Sequence, residues 1–98
     1  MKDLREEPTM PELEPFVGKF LENRKNDYKQ LEHFIEAGDY EAARKIVHNW
    51  KGYCEPYGFA HLGVIAVELE KTILLKDKAL CRPFLKAIDS YLHNKAFK

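Results

Sequence analysis

The chain is expected to be all-α, an antiparallel up-and-down four-helix bundle with room for a short extra helix at its amino-terminal end. Three observations predict this. Apolar residues recur at helical spacing through most of the chain, and no segment alternates apolar and polar residues as a half-buried strand would. The periodic stretches are separated by breaks of only a few residues, which makes successive helices antiparallel neighbours.

Residues 1 to 9 are polar, end in Pro8-Thr9 and show no apolar face, so they read as a loose leader to a bundle spanning 10 to 98. From Pro11, the positions Leu13, Phe16, Val17, Phe20, Leu21, Tyr28, Leu31, Phe34 and Ile35 mark a long first helix, or a short one before Pro15 and then the long one. Gly38-Asp39 supplies a terminating glycine and a new N-cap. The second helix is expected from about Tyr40 to Cys54, ahead of Pro56 and Gly58. A third is expected from about Tyr57 to Leu75. It carries Leu62, Val64, Ile65, Ala66, Val67 and Leu69, apolar on most sides, and should be the most buried. After Lys76-Asp77, the residues Leu80, Phe84, Leu85, Ile88, Tyr91 and Leu92 mark the fourth, and the lysine-rich stretch Lys95 to Lys98 reads as a solvated end.

Composition narrows the function. Ninety-eight residues make one domain with one core. Sixteen basic residues are interleaved with sixteen acidic ones, which argues against a nucleic-acid footprint and for a protein or small-molecule partner. Two separated cysteines, Cys54 and Cys81, suit reduced thiols better than zinc or a disulfide framework. No apolar run approaches the roughly 18 residues of a membrane span, and the first residues lack a signal peptide's apolar core, so the expected location is the cytoplasm.

Projected at about 100° per residue, the second helix sets His48 on a polar stripe with Glu41, Arg44, Lys45, Lys51, Gly52 and Glu55. Ala43, Ile46, Trp50, Tyr53 and Cys54 point more than about 110° away. Arg44 and Lys51 each lie one turn from His48, in reach of an anion built on its ring. Gly52 costs about 1 kcal/mol relative to alanine inside a helix, which suggests that something approaches the backbone there. Imidazole is a nucleophile near neutral pH and suits a transferable phosphoryl carrier. His33, His61 and His93 lack this context and read as surface residues.

On the third helix, Glu70 shares its face with Phe59, Leu62, Ala66 and Ile73. An inward carboxylate needs a donor. The ring N–H of His48 would satisfy it, fixing the tautomer and leaving Nε2 free; a pairing with Lys51 or Lys71, or escape to solvent, fits equally well.

The run His48-Asn49-Trp50-Lys51-Gly52, followed by Gly58, Leu62 and Leu69-Glu70, resembles the signature of the histidine-containing phosphotransfer (HPt) domain family. The likeness extends upstream through Phe20-Leu21-Glu22-Asn23-Arg24 and Ala37-Gly38-Asp39, over about residues 10 to 95. It implies that His48 is the phosphoacceptor, that Lys51 steadies the phosphoryl oxygens, that Gly52 makes room for a docking receiver domain, and that Glu70 orients the imidazole. Gly58 would open the third helix after Pro56.

The implied function is phosphorelay signalling, with His48 taking a phosphoryl group from one receiver aspartate and passing it to another. The chain would be a phosphocarrier without kinase activity from ATP, a monomer with no cofactor of its own, the Mg²⁺ belonging to the receiver. Its partners would be response-regulator receivers or a hybrid sensor kinase, with neither nucleic acid nor membrane. Tyr40 and Val47 would border the docking surface, and Arg44 and Lys45 would meet an acidic receiver. The family usually has small residues after the Lys-Gly pair, whereas this chain has Tyr53, Cys54, Glu55 and Pro56. Glu55 would project near His48 and repel a phosphoryl group or pair with Lys51, which raises a second reading: an HPt-like adaptor that binds without transferring. A third, hydrolysis by a His48–Glu70 dyad, lacks a neighbouring serine or cysteine nucleophile.

Overall fold

The computed structural model describes residues 9–95, the side chain of Tyr53 excepted. Residues 1 to 8 of the expected leader and 96 to 98 of the expected tail lie outside them, as does the core position expected for the Tyr53 side chain. The fold is an all-α four-helix bundle: α1 (Val17–Ala37), α2 (Tyr40–Tyr53), α3 (Ala60–Leu74) and α4 (Lys78–Lys95). A 3₁₀ helix, Pro11–Phe16, precedes α1, and a second, Glu55–Tyr57, follows α2. Among the described residues there is no strand. Each helix packs on its neighbours in sequence and α1 closes the ring against α4.

The turns follow from their residues. Gly38 takes φ +77°, its N–H donates to the Ile35 carbonyl and the next N–H, of Asp39, donates to Phe34, which together satisfy two of the carbonyls in the last turn of α1. The Asp39 carboxylate then accepts from the Ala42 N–H at 3.2 Å and starts α2. At the same end of the bundle, in the turn between α3 and α4, Asp77 accepts from the N–H groups of Ala79 and Leu80 and starts α4.

The third helix starts later than its apolar pattern suggested. Pro56 cannot donate to a continuing helix and Gly58 sits at φ +87°, so the chain makes a 3₁₀ turn and only resumes at Ala60. Gly58 therefore ends that turn and does not itself open α3. The turn is held from both sides: the N–H of Met10 donates to the Pro56 carbonyl at 2.9 Å, and Phe20 stacks on Tyr57 with centroids 4.2 Å apart.

Trp50, Phe59, Leu31, Leu62, Leu69 and Ile88 lie at the centre of the core. The Trp50 indole N–H donates to Asp27, which also pairs with Arg24 at 2.9 Å, so α1 grips α2 through a polar bridge beneath the rings. Three expectations are corrected. Val64 and Val67 of α3 are 58% and 36% exposed, because α1 lies diagonally across the bundle and nothing described covers that side. Leu80 is also exposed, near the start of α4. Lys95 is buried instead of solvated: its ammonium donates to the Gly58 carbonyl at 2.8 Å and lies over the rings of Phe59 and Tyr91, tying the end of α4 to the turn before α3.

Both cysteines are free and fully buried. Burial pushes the Cys54 thiol up to about 12. The native chain is therefore expected to resist maleimide at neutral pH and to react at both thiols once denatured. Mass spectrometry of labelled protein checks this, and rapid native labelling of Cys54 would contradict the packing described.

Candidate functional site

Helix α2 turns Ala43, Val47, Trp50 and Cys54 into the core. That orientation leaves the His48 side chain 58% exposed on the opposite side, where the wheel placed it. Val47 is fully buried and so cannot border a docking surface as expected; the core side of α2 is turned further toward it than the projection assumed. Tyr40, half-buried at the first turn of α2, lines an open cavity of about 430 Å³ with Arg44, Leu74 and Lys76, a short way along from the histidine.

Glu70 is the hub. It is buried on α3 where that helix packs against α2, and its side chain is only 12% exposed. One oxygen, Oε2, lies 3.2 Å from His48 Nδ1 and accepts from Arg44 Nη1 at 3.5 Å; the other, Oε1, accepts from Lys51 Nζ at 2.7 Å. The alternatives weighed from sequence thus combine, since His48 and Lys51 both reach the carboxylate while Lys71 pairs with Glu68 on the far side of α3. The Lys51 hydrogen bond, with that of His48 behind it, outweighs the cost of burial and holds the Glu70 carboxyl below its usual range. An ionised Glu70 can only accept, so in the neutral ring the network assigns the proton to Nδ1 and the lone pair to Nε2. Nε2 has no hydrogen-bond partner among the described residues, on a ring that is more than half exposed.

The two cations beside the ring differ. Lys51 is one-third exposed and committed to Glu70, with two further N–H donors on the same ammonium. Arg44 is shared: its Nη2 donates to Glu41 at 3.1 Å, and that hydrogen bond holds the Glu41 carboxyl below its usual range. Glu41 was placed on the stripe from sequence but given no role. Its spacing of three residues from Arg44 was the available signal.

Lys45 and Gly52 are exposed on the same face, and a side chain at Gly52 would meet nothing within 4 Å, so the surface beyond the ring is open. Glu55 is exposed but belongs to the 3₁₀ turn after α2, and a wheel angle carried past Tyr53 does not apply to it. Of the two alternatives for Glu55, the pairing with Lys51 is not formed, because Lys51 takes Glu70, the partner also weighed for it. Among the described residues no three His, Cys, Asp or Glu side chains gather as a metal site, and no helix is long and apolar enough to cross a membrane.

Comparison with protein-family models, with curated proteins and with solved structures finds no match to this chain.

Proposed function

We propose that this chain is a histidine phosphotransfer protein, carrying a phosphoryl group on His48 between receiver-domain aspartates. The observation that carries the reading is an exposed imidazole whose Nδ1 is held by a buried, ionised carboxylate while Nε2 is left to react. A structural histidine has no need of that arrangement, whereas a nucleophile does: the bound nitrogen sets the tautomer and the free one attacks.

In the proposed reaction the Nε2 lone pair attacks the phosphorus of an aspartyl phosphate in line. The N–P bond forms as the P–O bond to the aspartate breaks, and the aspartate leaves as a carboxylate. The ring keeps its Nδ1 proton and becomes cationic, and Glu70 balances that charge. The reverse sequence delivers the group to a second receiver. Lys51 can turn a spare N–H toward the phosphoryl oxygens without leaving Glu70, and Arg44 can do so by releasing Glu41. Positioning and charge do most of the work in such transfers. Mg²⁺ would be held by the receiver, and the HPt reading assigns no cofactor to this chain.

Incubation with a phosphorylated receiver tests the proposal. The expected result is a phosphate adduct on this chain that is labile in acid and stable in base. A chain that binds the receiver yet gains no phosphate would instead be the adaptor, a reading favoured by the commitment of Lys51 to Glu70 at 2.7 Å.

A further inference from the structure

Helix α3 is apolar on two sides, and only one is covered. Leu62, Ile65, Ala66, Leu69 and Ile73 fill the core. Val64, Val67 and Leu74 stand in solvent on the other side, at 58%, 36% and 64% exposure, and Leu75 continues the surface at 66%. With Lys71 they occupy one stripe, Val64, Val67, Lys71 and Leu74 falling within an arc of about 80°. A surface helix ordinarily carries polar residues there, and contiguous exposed apolar surface marks a contact site.

We propose that this face is the interface of a homodimer, in which α3 of one copy packs antiparallel against α3 of a second. The order of side chains along the stripe is what selects the partner. Val64, Val67, Lys71 and Leu74 alternate spacings of three and four residues, the seam of a helix pair. An antiparallel pair with its two-fold axis at residue 69 sets Val64 against Leu74 of the second copy and Val67 against Lys71. The methylenes of Lys71 then cover Val67, and its ammonium reaches Glu68 of the second copy.

Within one chain Lys71 and Glu68 already pair at 3.1 Å, with side chains 69% and 47% exposed. Two copies would bring two lysines and two glutamates together around the axis and leave no charge unmatched. A two-fold axis repeats each contact, so a stripe that is complementary to its own reverse fits a second copy. An unrelated partner would not require that symmetry. The dimer departs from the monomer expected from sequence, and the exposure of Val64 and Val67 is the observation behind that departure.

The experiment is sedimentation equilibrium of the full chain over a range of concentrations. Wild type is expected to reach twice the chain mass of 11.5 kDa. Val64→Asp and Leu74→Glu, exposed positions that leave the fold intact by circular dichroism, should each weaken association about 100-fold, since like or unpaired charge in an interface costs several kcal/mol. Glu68→Lys and Lys71→Glu should each associate poorly alone and recover the dimer when mixed. A single-chain mass up to about 1 mM, where association would be negligible, overturns the proposal. So does a dimer that ignores Val64→Asp and Leu74→Glu, and failure of the mixed pair overturns the antiparallel arrangement. His48→Gln should leave the mass unchanged, which separates this test from that of phosphotransfer.

Discussion

His48→Gln is expected to lose all phosphate uptake from a phosphorylated receiver while keeping its helix content and melting temperature. The two halves of that result have different causes. Uptake fails because glutamine has no nucleophilic ring nitrogen, and His33, His61 and His93 lie exposed on α1, α3 and α4, outside the cluster formed by Arg44, Lys51 and Glu70. The fold survives because the His48 side chain is more than half exposed and fills none of the core. Substitutions at such positions usually change stability by no more than about 0.5 kcal/mol. The glutamine amide can also donate to Glu70, which keeps Lys51 and Arg44 as further donors. Acid-labile phosphate is measured on both proteins beside a thermal melt. Label that persists on the variant would remove His48 from the mechanism.

The bundle was legible because its punctuation is chemical. Gly38-Asp39 and Lys76-Asp77 mark helix ends through a left-handed residue followed by a capping aspartate, and both breaks fall where those residues stand. The start of α3 was harder to read: Tyr57 and Phe59 continue an apolar periodicity that Gly58 interrupts with its positive φ. Periodicity also fails to say which side of a helix that is apolar all round will be covered. Val64 and Val67 resemble Leu62 and Leu69 in sequence, and only the placement of α1 across the bundle leaves the valines outside. Lys95 was misread for a related reason: Tyr91 is one turn away on the same helix, but the Gly58 carbonyl and the Phe59 ring that hold it are far from it in the chain.

The site was legible where it lies on one helix and incomplete where it spans two. Angles along α2 are enough to put His48, Lys45, Arg44, Lys51 and Gly52 on one face. They cannot say that Lys51 leans across to α3, because that depends on the separation of two helices. The need of an inward Glu70 for a donor was evident, but the number of donors it attracts was not. Val47 shows the same limit: a residue at the edge of a wheel is assigned to core or surface by the neighbouring helix.

Glu70→Ala is expected to slow phosphoryl transfer about 100-fold, the scale of losing the orientation of a reacting group. Without the carboxylate the His48 ring can rotate and exchange tautomers, and Lys51 and Arg44 lose the acceptor that gathers them at its edge. Glu70→Gln should recover most of the rate, because an amide oxygen can still accept from Nδ1 while the charge is gone. That recovery distinguishes positioning from a general loss of packing, which Gln and Ala would not separate in this way. Acid stability adds an independent readout. The Glu70 carboxyl is held below its usual range in the folded chain, chiefly by Lys51, so its ionisation stabilises the fold above the unfolded-state value. That contribution is lost as pH falls below the ordinary glutamate range and through the lower folded value. Wild type should therefore lose stability over that acid window relative to neutral pH, and Glu70→Gln should lose less, as measured by melts across the series. A Glu70→Gln variant that transfers as slowly as Glu70→Ala would mean that charge balance on the imidazolium, and not ring orientation, is what Glu70 supplies.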